Sequence, residues 1–118
     1  MIVKDDSVKL DGLQPIMRHA MKWADIVWRE LGQECVITAG AEAVKDGALI
    51  HSAGSLHPMG LALDFRTQYW SGGNLTDIGD EAAYQLEEKL NDMNRYLDGR
   101  FQVIQHKTHI HVEFEPNE

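Results

Sequence analysis

Residues 108–114 alternate without interruption. Ile110, Val112 and Phe114 fall on one side, and His109, His111 and Glu113 on the other. A period of two is the mark of an extended strand, whose successive side chains point to opposite faces. The apolar face must be covered, so the strand belongs to a sheet backed by another layer. The second face constrains the chain further. A solvated strand face usually carries Lys, Thr or Glu, whereas two imidazoles and a carboxylate opposite a fully apolar face describe a polar cleft. His109 and His111 would stand about 7 Å apart on that face. That is too far for a routine mutual hydrogen bond, and right for two groups serving one small site.

Residues 61–66 show the same pattern, with Leu61, Leu63 and Phe65 alternating against Ala62, Asp64 and Arg66. Shorter strands are predicted at 35–38 and 101–105. Apolar residues at helical spacing predict a helix over 13–31 and another over 80–97. Asp11 with Gln14 reads as a capping box for the first, Gly32 as its C-terminal stop, and Gly99 as the end of the second. Residues 39–60 and 68–79 lack clear periodicity and read as long loops, which in a small domain are usually functional. The expected fold is α+β: a mainly antiparallel sheet of about four strands, covered on one face by two helices, with a metal cleft on the other. A chain of 118 residues suits one domain, here 1–118.

Charge narrows the partners. Eleven Lys and Arg against nineteen Asp and Glu give a formal charge of −8. That argues against sequence-independent binding to nucleic acid or to an anionic membrane, both of which need a basic surface. The single cysteine, Cys35, forms no intrachain disulfide and reads as a small buried hydrophobe. No stretch reaches the ~20 apolar residues of a membrane span, and the first residues lack a signal-peptide core. Synthesis in the cytoplasm without a signal peptide is the expectation. Oligomeric state is left open.

The chemistry gathers around Ser55, His57, Pro58, Gly60 and Asp64. Pro58 and Gly60 make a turn plausible, and the turn can fold His57 back beside Asp64 at the start of the strand. With one histidine from the distant strand this makes His57, Asp64 and His111. Two imidazoles and a carboxylate leave a fourth position open, the arrangement of a catalytic zinc site rather than a closed structural one. One Zn2+ per chain is expected. His109, on the same face as His111, is placed to take the proton of an attacking water. His106, three residues earlier, shares that task or stabilises the oxyanion.

The pattern Ser55-x-His57-x-x-Gly60-x-Ala62-x-Asp64 followed by His109-x-His111 resembles the D-alanyl-D-alanine carboxypeptidase and L-alanyl-D-glutamate endopeptidase family of zinc peptidases. That family includes phage endolysins and peptidoglycan peptidases, and is distantly similar to lysostaphin and hedgehog-type domains. The resemblance implies His57, Asp64 and His111 as metal ligands, with His109 and His106 as non-ligand histidines of the reaction. It implies hydrolysis of a peptide bond in peptidoglycan stem peptides, at the cell wall if the protein is released, for example by phage lysis. Many members carry a substrate-holding arginine just after the strand at 35–38. Here that stretch reads Ala39-Gly40-Ala41-Glu42-Ala43-Val44-Lys45. Lys45 or Arg66 then replaces it, or the substrate lacks the expected carboxylate, or the chain is an inactive zinc-binding relative serving as an interaction or assembly module.

The remaining candidates have more ordinary readings beside the functional one. Ser55 fixes the turn or orients a ligand, and Glu113 supports an imidazole. Tyr69 and Trp70, just past the Asp64 strand, can wall a substrate cleft. His51 lines the cleft or plays no part, and His19 on the first helix is an ordinary surface residue.

Overall fold

The structure, a computed structural model, describes residues 1–42 and 56–117, together with the backbone of 44–45 and 48–49. The fold is α+β. Five strands form one mainly antiparallel sheet in the order β1-β2-β5-β9-β8, and two helices pack with it. These strands are β1 (Ile2–Val3), β2 (Val36–Ala39), β5 (Ala62–Arg66), β8 (Gly99–Gln105) and β9 (His109–Pro116). Among the described residues, only the β1–β2 pair is parallel. Two short hairpins complete the strands: β3 (Val44–Lys45) with β4 (Ala48–Leu49), and β6 (Gln68–Ser71) with β7 (Asn74–Asp77). The helices are α1 (Met17–Glu30) and α2 (Gly79–Asn94).

The alternation predicted for the two long strands holds residue by residue. Leu63, Phe65, Ile110 and Val112 are fully buried, with Phe114 nearly so. They share one cluster with Met17, Ala20, Ala24, Val27 and Trp28 of α1 and Ala82, Leu86 and Leu90 of α2. Trp28 packs its ring against Phe65 at 5.6 Å and donates its indole N–H to the Arg66 carbonyl at 2.7 Å. Phe101 meets Phe114 edge-on at 5.1 Å, closing the core under β8. Cys35 lies in the same cluster. Burial, with a smaller contribution from the nearby Asp25 carboxylate, pushes its thiol up to about 12.

Several expectations need correction. The capping box does not form: α1 begins at Met17 with no side-chain cap, after a turn through Gln14 and Pro15. Gln14 instead donates its side-chain amide to the Met59 carbonyl at 2.9 Å, so it serves a distant turn rather than its own helix. Helix α2 stops at Asn94 rather than continuing to 97. There the Asn94 side chain turns to β8, accepting from Phe101 N–H at 2.8 Å. Residues 68–79 are largely a hairpin, not a loop. Gly72 and Gly73 have φ of 57° and 80°, a two-residue turn of the left-handed kind that matches strand twist. The sheet gains a fifth strand because Ile2 and Val3 pair alongside Val36 and Ile37, a two-residue element too short to show a period.

Candidate metal centre

The β5–β9 register sets Asp64 opposite His111, Arg66 opposite His109, and Ala62 opposite Glu113. These residues lie on the face away from the apolar cluster, because each strand has spent its alternate positions on the core. Opposed residues in an antiparallel pair have Cβ atoms about 4.5–5.5 Å apart. The strand pairing alone therefore brings the carboxylate and the imidazole within reach.

His57 arrives from a separate turn. Gly60 N–H donates to the His57 carbonyl at 3.0 Å, and Leu61 N–H donates to Leu56 at 3.1 Å. Gly60 sits at φ 74°, and a Cβ there would run into the Gly12 carbonyl oxygen, so only glycine fits. The turn delivers His57, only 3% exposed, against the sheet.

The three groups converge on one point. Asp64 Oδ1 is 2.8 Å from His111 Nδ1 and 3.2 Å from His57 Nε2, and the two nitrogens are 3.2 Å apart. Together they form a group that can hold a metal ion. The outer ring nitrogens show which atoms face inward. His57 Nδ1 lies 2.8 Å from the Gly40 carbonyl, which can only accept, so Nδ1 carries the proton and a neutral ring turns its Nε2 lone pair toward Asp64 and His111. His111 Nε2 lies 2.8 Å from Glu113 Oε1, which likewise holds a proton on the outer nitrogen and leaves Nδ1 for the centre. A His57 lone pair and a carboxylate oxygen at 3.2 Å need a proton or a cation between them.

The electrostatics agree. Burial would raise the Asp64 carboxyl, but the hydrogen bond from His111, with the adjoining His57 imidazole, outweighs it and holds the group well below the usual carboxylate range. Burial would lower His111, but its bonds to Asp64 and Glu113 prevail and raise it. A metal entering here must displace the His111 Nδ1 proton, so its affinity falls as the solution becomes more acid. His109 goes the other way. Burial lowers it, assisted by the neighbouring histidines against the pull of Asp64, and so favours the neutral ring.

The other candidates are distributed around this point. His109 Nε2 lies 3.8 Å from the second Asp64 oxygen, and its ring stacks on His106 at 4.7 Å. Arg66 is on the same face of β5, two residues past Asp64. Glu113 reaches His111 directly. The Tyr69 hydroxyl donates to the Glu34 carbonyl at 2.6 Å, and burial pushes it up to about 12. Trp70 is 71% exposed on the β6–β7 hairpin. Ser55 and His51, and the side chain of Lys45, lie outside the described residues. Sequence reasoning passed over Glu42 except as the place of a missing arginine. It is 7% exposed, and its carboxylate accepts from Gly40 N–H at 2.8 and 2.9 Å and from Lys9 N–H at 3.1 Å. Its nearest sequence signal was a carboxylate at the end of an apolar strand, which is too common to single it out.

No family model matches this chain, and neither a curated protein nor a solved structure does. Among the described residues, no helix is long and apolar enough to cross a membrane.

Proposed function

We propose that the chain is a zinc peptidase that hydrolyses a peptide bond in peptidoglycan stem peptides, of the D-Ala-D-Ala carboxypeptidase or L-Ala-D-Glu endopeptidase type. The observation that carries this reading is the convergence of His57 Nε2, Asp64 Oδ1 and His111 Nδ1 beside two further histidines. Ligand atoms on a tetrahedral zinc, bonded at about 2.0–2.1 Å, lie about 3.3 Å from one another. Separations of 3.2, 3.2 and 2.8 Å come within about half an ångström of that, so small rotations admit the ion. Three protein ligands with an open position, and no cysteine among them, are a catalytic rather than a structural set. Zinc there supplies a Lewis acid that polarises a carbonyl and acidifies a water molecule.

The chain's own residues do the rest. His109, held neutral with Nε2 toward the Asp64 side of the centre, accepts the proton of the attacking water and returns it to the leaving amine. The stacked His106 ring fixes the His109 plane and faces the developing oxyanion. Asp64 binds through one oxygen, and its second lies 3.8 Å from His109 Nε2. Arg66, whose guanidinium makes no hydrogen bond or ion pair with a described residue, stands across from His109. In both bonds named above, the carbon after the scissile nitrogen carries a carboxylate, so one guanidinium two strand positions from the ligand suits either substrate.

The test is direct. Purified protein carrying zinc, incubated with peptidoglycan, is expected to release new amines and shortened stem peptides, to stop on chelation and to resume when zinc is restored. Absence of chelator-sensitive release from every wall type would overturn the peptidase reading. If stoichiometric zinc were still bound, it would leave the inactive interaction module in its place.

A further inference from the structure

The missing arginine directs attention to Glu42. A carboxylate that is 7% exposed is costly to bury unless it is hydrogen-bonded, and this one accepts from backbone amides. Gly40 N–H donates to both its oxygens, and Lys9 N–H to one of them. The bond to Lys9 spans 33 residues of sequence, so Glu42 does more than shape its own turn. It ties residues 40–42 to the segment at 8–14 that crosses over them. That segment returns the contact: Ala41 N–H donates to the Lys9 carbonyl at 2.6 Å. It also continues to the His57 turn, where Gln14 N–H donates to Gly60 at 2.9 Å and the Gln14 side chain donates to Met59.

Gly40 links Glu42 to His57. Its N–H is held by Glu42, and its carbonyl accepts from His57 Nδ1 at 2.8 Å. Charge drawn to the Gly40 amide and the fixed plane of that residue set where the carbonyl points. The carbonyl in turn sets the tautomer and ring plane of a metal ligand. Partners of a ligating imidazole commonly govern affinity as strongly as this. We propose that Glu42 is a positioning residue for the metal centre, acting through Gly40 to hold His57 with Nε2 directed at the ion, and not a substrate-binding residue. This rests on the zinc reading above.

The test measures zinc affinity, by competition with a chromophoric chelator, for wild type, Glu42→Ala and Glu42→Gln, with the Co2+ ligand-field spectrum as a report of geometry. Glu42→Ala is expected to bind zinc about ten to a hundredfold more weakly, with a changed Co2+ spectrum. Glu42→Gln keeps one acceptor oxygen and is expected to recover most of the affinity. A purely structural role predicts a lower melting temperature in metal-free protein with unchanged affinity and spectrum in the folded fraction. That result overturns the proposal. If the variants do not fold, amide exchange in wild type decides: zinc should slow exchange at Gly40 and Lys9, and no slowing overturns the proposal as surely. Wild type that binds no zinc defeats the metal reading itself, which a failure confined to the variants does not.

Discussion

On the helix side of β5 and β9, Leu63, Phe65, Ile110 and Val112 are fully buried and belong to one apolar cluster. On the other side the same two strands present Asp64, His109, His111 and Glu113, each partly exposed and each bound to another polar group. One residue of strand separates the two environments. The apolar face is a matter of area and shape, so its losses appear as stability. The polar face is a network in which each group satisfies the next, and its losses appear as chemistry. Because pairing is shared, the core also sets the register of the site. A slip of one residue would put Ile110 opposite Asp64.

The largest expected effect removes a ligand. His111→Ala should lose stoichiometric zinc and bring hydrolysis to background, measured by elemental analysis and amine release. The same variant should stay folded, because the alanine keeps the strand and the core face is untouched. If it retains one zinc per chain, the ligand set is wrong, and the polar face is not the separate functional layer described above. The mirror experiment is Phe65→Ala. Cutting a fully buried ring away from Trp28 should cost about 3–5 kcal/mol in denaturant unfolding. The protein that remains folded should bind zinc nearly as wild type does. A large fall in affinity there would show that the two faces are coupled through β5 and cannot be treated apart.

These faces were legible because alternation is local. Leu61 to Arg66 and Thr108 to Phe114 disclose both strands, and which side of each is polar, without any knowledge of pairing. The Asp64–His111 register is a contact between residues 47 apart, and nothing local encodes it. It followed only from the chemistry expected of the groups. The β6–β7 hairpin was missed because Asn74, Leu75, Thr76 and Asp77 are all exposed, so no apolar alternation marks them. Its one local signal was the Gly72-Gly73 pair, a turn sequence. Glu42 was illegible for a third reason. It accepts from the backbone amides of Gly40 and Lys9, and backbone carries no side-chain signature.

A smaller effect tests whether the polar face works as a chain of supports. Glu113→Ala removes the acceptor that keeps a proton on His111 Nε2. The ring is then free to place its proton on Nδ1, the atom required for the metal. Zinc affinity should fall by about ten to a hundredfold, read by chelator competition, while Glu113→Gln, which retains an acceptor oxygen, should fall less. Equal affinity in all three proteins would mean that Asp64 alone sets the tautomer.

The smallest expected effect lies in the hairpin, where the contrast between burial and use is sharpest. Tyr69 and Trp70 are adjacent on β6, so a strand sends them to opposite sides. Tyr69 is partly buried, with its hydroxyl given to the Glu34 carbonyl, whereas Trp70 is 71% exposed and meets Leu75, itself 43% exposed, across the hairpin. Trp70→Ala removes surface that is mostly still in water, and its effect on unfolding should lie within about 0.5 kcal/mol. Tyr69→Phe removes a donor and should cost about 1 kcal/mol. If the exposed indole stacks on a bound stem peptide, Trp70→Ala raises KM a few-fold at constant kcat, while Tyr69→Phe leaves both unchanged. An unchanged KM in Trp70→Ala would confine substrate recognition to the face of Asp64, Arg66 and His109. The hairpin would then be an exposed appendage of the sheet rather than a wall of its cleft.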